Sequence, residues 1–207
     1  MSLQGGTMRA LLPLFLVQFC CWSGMFLMWI GAYPLITLAL LAGRGPRDGM
    51  VVLALCFAWY ATLAAALAFL IPALLKRVEP SVMLAVATVV GSAGLAGLGL
   101  IEKPILLLPC FTALAVGWSA LSNLPYTIAG RLVPEGEIEH WFRVFAFSSI
   151  LPQLAVAGLV IFLIGELNAQ TARNIMLAAG VAMALGSGLA LVFRRALAGT
   201  TSPAQRP

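Results

Sequence analysis

Long apolar runs separated by short polar breaks occupy almost the whole chain. Six of these runs reach the length of about 20 residues that a helix needs to cross a hydrocarbon core of about 30 Å. They cover residues 10–42, 50–75, 80–101, 104–132, 139–165 and 171–195. The runs are continuously apolar, whereas the strands of a membrane β-barrel alternate polar and apolar positions. The pattern predicts an all-α protein with one six-helix membrane domain over residues 1–198 and a disordered cytoplasmic tail over residues 199–207.

Composition agrees with a membrane protein. Hydrophobic residues make up 62% of the 207 residues and charged residues only 9%, whereas a soluble domain has about 25% charged residues. The first run is too long for the apolar core of a signal peptide, about 7–15 residues, so we interpret it as a span. The cysteines lie in apolar segments without CxxC spacing, far in sequence from His140. We therefore expect no metal, no cofactor and, without a nucleophile–histidine–acid set, no enzyme activity.

The basic residues predict the orientation in the membrane. Six spans place both termini on one side, and Lys and Arg concentrate on the cytoplasmic side of membrane proteins. Eight basic residues fall on the side of the termini: Arg9, Lys76, Arg77, Arg131, Arg143, Arg194, Arg195 and Arg206. Four fall on the other side: Arg44, Arg47, Lys103 and Arg173. We expect both termini in the cytoplasm of a bacterial inner (plasma) membrane, and we exclude nucleic acid as a partner because the basic residues sit singly or in pairs at span ends.

The fourth span contains an unusual group of polar residues. Ser119, Ser122, Asn123 and Tyr126 cluster on one side of the predicted helix. Pro125 leaves the carbonyl one turn earlier without its usual backbone donor. A buried polar group without a partner costs roughly 2–7 kcal/mol, so this side of the helix is predicted to line a wet cavity. The alternative is that Ser and Asn hydrogen-bond to neighbouring helices.

The first span has a matching stripe at helical spacing. Its members are Gln18, Trp22, Met25, Phe26, Trp29 and Tyr33. Aromatic rings stack on the C–H faces of a pyranose while amide and hydroxyl groups bond its edge, so the stripe is typical of a sugar-binding wall. The alternative is helix packing with an interfacial aromatic belt, but Trp22 and Trp29 are about 10 Å apart along the helix axis. Pro34, with Gly31 nearby, is the predicted kink.

The remaining spans add less chemistry. In the fifth span Pro152 and Gln153 are a second candidate kink and ligand contact, with a bond to a neighbouring helix as the alternative for Gln153. The second, third and sixth spans are nearly free of polar groups at mid-membrane. Glycines suited to close helix packing in these spans include Gly91, Gly94, Gly97, Gly180, Gly186 and Gly188.

The six spans form two triplets. Spans one and four both contain a proline and a Trp-Ser pair, Trp22-Ser23 and Trp118-Ser119. Interrupted helices at matching positions of two inverted repeats are typical of transporter sites, so we predict a 3+3 inverted repeat. No acidic residue lies in a span interior. Arg143 is the nearest basic exception, and we expect it at a helix end beside acidic neighbours.

These residues resemble a known family. Gln18, Trp22, Phe26, Trp29 and Pro34 resemble the seventh helix of major facilitator superfamily sugar transporters, in the sucrose/maltose and glycoside–cation symporter branch. Trp118, Pro125 and Tyr126 resemble its tenth helix, and Phe145, Phe147, Pro152 and Gln153 its eleventh. The resemblance implies the C-terminal six-helix half of that fold. The acidic coupling residue that the family usually keeps in its N-terminal half has no counterpart here, and Arg143 and Ala146 replace a common Gly and Asn.

We therefore predict a half-size transporter subunit for a small polar solute, such as a sugar or glycoside, completed by a second copy or another six-helix chain in the lipid bilayer. The candidate solute-binding residues are Gln18, Trp22, Trp29, Tyr33, Ser119, Asn123, Tyr126 and Gln153. The candidate gating residues are Pro34, Pro125 and Pro152. One alternative is a non-transporting accessory or assembly subunit of a larger complex. Another is a fragment of a longer gene product.

Overall fold

Proline begins several of the helices, because its missing N–H is not needed in the first turn. Pro46 and Pro80 each begin an α-helix, and Pro104 begins the short 3-10 turn over Pro104–Leu106 that leads into the next one. The computed structural model describes residues 2–163 and 167–198, so the predicted tail over 199–207 lies outside the described residues. The helices are α1 (Ser2–Pro34), α2 (Pro46–Ala68), α3 (Ile71–Leu74), α4 (Pro80–Leu100), α5 (Leu107–Leu132), α6 (Ile138–Leu163), α7 (Ala169–Val192) and α8 (Arg194–Leu197).

Six helices in the described part of the chain are long and apolar enough to cross a membrane. They are α1, α2, α4, α5, α6 and α7, which confirms the prediction of an all-α chain with six candidate spans. We therefore treat the chain as an integral membrane protein.

The prolines affect these helices differently. Helix α1 begins well before the predicted start at residue 10. After Pro34 it continues as a π-helical turn over Leu35–Leu40, and prolines and π-turns are both positions at which helices kink. In α5 and α6 the α-helix is continuous on both sides of Pro125 and Pro152.

The helices pack in a defined order. Helix α7 packs extensively against α1 and α4, and α4 packs against α5. A smaller contact between α1 and α5 closes a four-helix core. Helix α2 lies outside this core against α5, and α6 lies outside it against α1. The order around the bundle is therefore α6, α1, α7, α4, α5, α2.

Glycines make the closest helix crossings possible. A Cβ added at Gly117 in α5 would lie 2.9 Å from Cα of Gly91 in α4. A Cβ at Gly24 in α1 would lie 2.6 Å from the carbonyl oxygen of Ala179 in α7. Small residues let membrane helices approach closely and gain dispersion energy. The prediction for Gly188 is wrong, because a Cβ there has no atom within 4 Å.

Gly117→Val is expected to destabilise the protein by about 1–3 kcal/mol, the usual cost of overpacking a tight contact. The atoms facing Gly117 belong to backbone, so α4 and α5 must separate. Gly188→Val adds the same side chain to a helix with open space around it. Thermal unfolding in detergent measures the difference, and equal melting temperatures for the two variants would contradict the close crossing.

One side-chain hydrogen bond joins α4 to α7 inside the bundle. The Ser187 hydroxyl lies 2.8 Å from Oγ1 of Thr88, and both residues are fully buried. Thr88 also bonds to the carbonyl oxygen of Leu84 at 2.7 Å. The sequence predicts that α4 and α7 are nearly free of polar groups at mid-membrane, and the Thr88–Ser187 pair was not expected because a single hydroxyl in an apolar span does not reveal its partner.

A double-mutant cycle with Thr88→Val and Ser187→Ala is expected to give a coupling energy of about 0.6 kcal/mol, the average for such bonds in membranes. Unfolding free energies of the four proteins in mixed micelles provide the measurement. Ser92→Ala is the control partner, because its hydroxyl bonds to the carbonyl of Val89 in its own helix at 2.8 Å. Strict additivity of the Thr88 and Ser187 changes would show that the bond contributes nothing.

Polar groups also stabilise helix termini at the end of the bundle opposite the connection between α2 and α4. Nη1 of Arg173 donates to the carbonyl oxygens of Ile101, at 2.6 Å, and Gly99, at 3.3 Å. A cation near the last carbonyls of α4 interacts favourably with the helix dipole. The side chain of Asn168 accepts from the backbone N–H of Thr171 at 2.9 Å and caps the start of α7. Arg173, which the orientation prediction counts among the basic residues on the side away from the termini, therefore also joins the start of α7 to the end of α4.

Candidate functional site

Three tryptophans meet where α1 faces α5. The rings of Trp22 and Trp118 lie 5.2 Å apart edge to face, and those of Trp29 and Trp118 lie 5.5 Å apart. Phe26 lies between Trp22 and Trp29, at 5.7 and 4.9 Å from their rings. Because one ring of α5 contacts two rings that are two turns apart on α1, Trp118 is the centre of this contact.

Helix α2 extends the same group of rings. Tyr60 lies 5.7 Å from Trp118 and 6.4 Å from Phe111, while Phe57 contacts Tyr60 and Phe111 at about 6 Å. The tyrosine is buried, and its hydroxyl has no hydrogen-bond partner in the described part of the chain. We call this group the first aromatic cluster; its members are Trp22, Phe26, Trp29, Phe57, Tyr60, Phe111 and Trp118.

A second aromatic cluster joins α1, α5 and α6. The Phe145 ring lies 5.5 Å from Phe15 and 5.3 Å from Tyr126, and Tyr126 lies 5.7 Å from Phe142. Phe145 is fully buried, whereas Tyr126 is 40% exposed. Tyr126, predicted as a site residue, therefore lies at the edge of the second aromatic cluster.

Gln18 and Ser122 lie between the two clusters. Gln18 follows Phe15 by three residues and precedes Trp22 by four, so it shares their side of α1. Ser122 lies four residues from both Trp118 and Tyr126 on α5. The ring contacts show that α1 and α5 run in opposite directions. Gln18 and Ser122 therefore both lie between the two clusters along the helix axes.

Neither polar residue has the partner that its burial demands. Gln18 is only 2% exposed. Within the described residues, its Oε1 has no hydrogen-bond partner, and neither does Oγ of Ser122. An unsatisfied buried group costs about 1–3 kcal/mol, so two such groups on facing helices mark this level of the bundle as the candidate site.

The other residues predicted in the first span lie along the edge of this site. Trp29 and Tyr33 are each 38% exposed, whereas Trp22 is partly covered. Tyr33 and Pro34 line a separate open cavity of about 440 Å³ at the end of α1, together with Thr37 and Arg44. Trp22 and Trp29 therefore lie on the same side of α1 as Gln18, whereas Tyr33 lies beside the separate cavity at the end of α1.

The surroundings of Asn123 and Ser119 could not be predicted from their positions along the helix. Nδ2 of Asn123 donates to the carbonyl oxygen of Ser119 in its own helix at 2.7 Å, and Asn123 is exposed. The alternative of a bond to a neighbouring helix is not observed for Asn123. Ser119 is 4% exposed and lines a different, small apolar cavity between α2, α3, α4 and α5.

Gln153 lies on the exposed surface of α6, one residue from the buried Pro152. It has no hydrogen-bond partner in the described ranges, and its apolar neighbours Leu151 and Leu154 are also exposed. No contact among the described residues places Gln153 beside Gln18. Its predicted role in binding would require a molecule that covers α6.

Three residues of the site were absent from the predicted set of solute-binding residues. Trp118 and Ser122 belong to the polar stretch of the fourth span, but they were not chosen as contacts. Tyr60 gave a weak signal, as one of two neighbouring aromatic residues in a span made mostly of Ala and Leu. Its contact with Trp118 depends on the packing of α2 against α5.

The charged residues of α6 lie apart from the site. Nη2 of Arg143 is 3.8 Å from Oε1 of Glu139, and both side chains are largely exposed. Such a pair one turn apart contributes little to stability. Nε1 of Trp141 donates to Oε2 of Glu137 at 2.8 Å. These contacts agree with a helix-end role for the charges near Arg143.

The chain matches no protein-family model, no curated protein and no solved structure. The resemblance to the major facilitator superfamily therefore stays a prediction from the residues quoted above, and function has to be argued from the site.

Proposed function

We propose that this chain is a half-size transporter subunit of the major facilitator type, in which the facing sides of α1 and α5 form one wall of a pathway for a small polar solute. The observation that supports this most directly is the pair of unpartnered polar atoms on Gln18 and Ser122 between two aromatic clusters. Transporter sites lie near the bilayer midplane at the interface between the two repeats, which is where α1 meets α5 in the proposed arrangement.

The proposed solute is neutral and has an apolar face, as sugars and glycosides do. The two aromatic clusters and the polar residues between them consist of aromatic rings, an amide and hydroxyls, without an acidic or basic side chain among them. An amide and a hydroxyl exchange hydrogen bonds with sugar hydroxyls, and the flanking rings cover C–H surfaces. A charged solute would lose its hydration without gaining an opposite charge.

The packing pattern supports a 3+3 inverted repeat. Exchanging the first three spans with the last three pairs α1 with α5, α2 with α6 and α4 with α7. Under this exchange the contact of α1 with α7 corresponds to that of α5 with α4, and the contact of α1 with α6 corresponds to that of α5 with α2. The contacts α4–α7 and α1–α5 map onto themselves. In the proposed repeat the site lies where its two related helices, α1 and α5, meet. The proposed cytoplasmic location of both termini is supported by the excess of basic residues on their side.

A second wall has to come from another molecule, because alternating access needs two halves that rock about one site. The proposed partner is a second copy or another six-helix chain that covers the exposed Trp29, Tyr126 and Gln153.

A non-transporting accessory subunit is the second candidate function. Every Asp and Glu in the described part of the chain lies at a helix end or between helices. A carboxylate at mid-membrane is the usual means of coupling to protons, so its absence from these spans favours either facilitated diffusion or a structural role in a larger complex.

Reconstitution separates the two candidates. The purified chain is placed in liposomes and tested for saturable uptake of a labelled neutral disaccharide, and its oligomeric state is measured in mild detergent. Saturable uptake by a dimer, or by a complex with a co-purifying six-helix chain, supports the transporter. A monomer that neither binds nor transports any of a panel of neutral glycosides, even with its co-purifying partners restored, rejects it.

A further inference from the structure

A small apolar groove lies away from the candidate site, between the end of α2, α3, the start of α4 and α5. Its volume is about 90 Å³, and apart from one serine its lining is hydrophobic. Leu70 and Leu74 on its edge are 54% and 45% exposed. In a bilayer the groove therefore opens on the lipid-facing surface.

Ser119 is the polar residue in this groove. Its hydroxyl is buried and has no hydrogen-bond partner in the described part of the chain. Serines in membrane helices usually donate to the carbonyl four residues earlier, as Ser23 does to Phe19 at 2.7 Å. Ser119 does not, and because Gly117 faces Gly91 it lies about 13 Å from the level at which α4 begins, toward the middle of α5.

Basic residues lie at the end of the bundle toward which the groove runs. Lys76 and Arg77 occupy the turn that follows Leu74, and both are exposed. Within the described residues neither side chain has a carboxylate at ion-pair distance. The nearest acid in sequence, Glu79, accepts a bond from the hydroxyl of Ser81 at 2.7 Å.

Arg131 lies at the same end of the bundle. Gly91 of α4 faces Gly117, and Gly94 faces Ala113, so α4 and α5 run in opposite directions. The end of α5 with Arg131 therefore lies beside the start of α4, near Lys76 and Arg77.

We propose that this groove binds an anionic glycerophospholipid. The phosphate lies at Lys76 and Arg77, and the first part of an acyl chain fills the groove beside Leu70 and Leu74. Basic residues at the edge of apolar grooves between membrane helices commonly hold lipid headgroups. The site is independent of the proposed transport.

Native mass spectrometry of the detergent-solubilised protein tests this. Phosphatidylglycerol and phosphatidylcholine with identical acyl chains are added in turn. We expect phosphatidylglycerol to be retained about fivefold more for each basic residue that contacts the headgroup. Equal retention of the two lipids would overturn the proposal.

Variants locate the site. Lys76→Gln with Arg77→Gln should reduce phosphatidylglycerol retention to the phosphatidylcholine level, whereas Arg44→Gln with Arg47→Gln, a matched pair at the opposite end, should leave it unchanged. Leu74→Asn should lower retention of both lipids equally, because both have an acyl chain in the groove that Leu74 lines. Melting temperatures confirm that each variant is folded. Undiminished selectivity in the first pair, or full retention in Leu74→Asn, would show that the lipid binds elsewhere.

Discussion

Gln18→Met is expected to weaken solute binding about tenfold while making the protein more stable by about 1–3 kcal/mol. Methionine keeps the length of the side chain and removes a buried polar group whose Oε1 has no partner in the described structure. Removing such a group relieves its desolvation penalty, and the tenfold loss of affinity corresponds to about 1.4 kcal/mol for one lost hydrogen bond. Unfolding in detergent and equilibrium binding of a labelled glycoside give the two measurements.

The opposite signs of these two effects distinguish a binding residue from a structural one. If Gln18 instead held helices together, Gln18→Met would lower stability and leave binding by the folded fraction unchanged. Ser122→Ala should follow Gln18→Met in both measurements, because its Oγ is unpartnered at the same level. Gln170→Met is the matched control, since Gln170 is exposed and bonds only within its own helix, to Asn174 at 3.0 Å.

Trp118→Ala is expected to destabilise the protein by about 3–5 kcal/mol, the range for removing a large aromatic side chain from a packed site. The Trp118 ring joins three helices through its contacts with Trp22, Trp29 and Tyr60. Its loss leaves a cavity that rigid helices cannot close, and it removes three aromatic pairs worth about 0.5–1.5 kcal/mol each beyond their buried area. Chemical unfolding in mixed micelles measures the change.

Trp59→Ala provides the comparison on a residue of the same type. Trp59 is 45% exposed and has a single hydrogen bond, from its Nε1 to Oγ1 of Thr112 at 3.0 Å. Its removal should cost about 1 kcal/mol. Trp118→Phe should restore more than half of the lost stability, because it retains a ring at the centre of the cluster. Equal costs for Trp59→Ala and Trp118→Ala would show that the first aromatic cluster does not hold α1, α2 and α5 together.

The six candidate spans could be predicted from the sequence because a backbone in lipid has to satisfy its own hydrogen bonds. Any apolar run of sufficient length therefore becomes a helix, whatever its neighbours are. Gln18 could be identified in the same way, since an amide in such a run has no solvent to bond. The polar fourth span likewise marked α5 as unusual before its neighbours were known.

The environment of each side chain could not be predicted in this way. A membrane helix is apolar on all sides, so its periodicity does not show which side meets another helix. Ser119 and Ser122 are three residues apart on the same helix, yet Ser119 lines the groove beside α3 while Ser122 lies between the aromatic clusters. A Cβ added at Gly180 would lie 2.9 Å from the backbone nitrogen of Ala96, whereas Gly188, on the same helix, faces open space.

The sequence by itself thus determined the helical class, the approximate spans and the polar residues that deserve an explanation. Only the tertiary structure decided that Tyr60 and Trp118 meet, that Thr88 bonds to Ser187, and that Asn123 bonds within its own helix. These contacts depend on which helices are neighbours and how closely they cross. Helix crossing is set by side-chain shape and by glycines at particular positions, which the hydrophobic pattern along one chain does not encode.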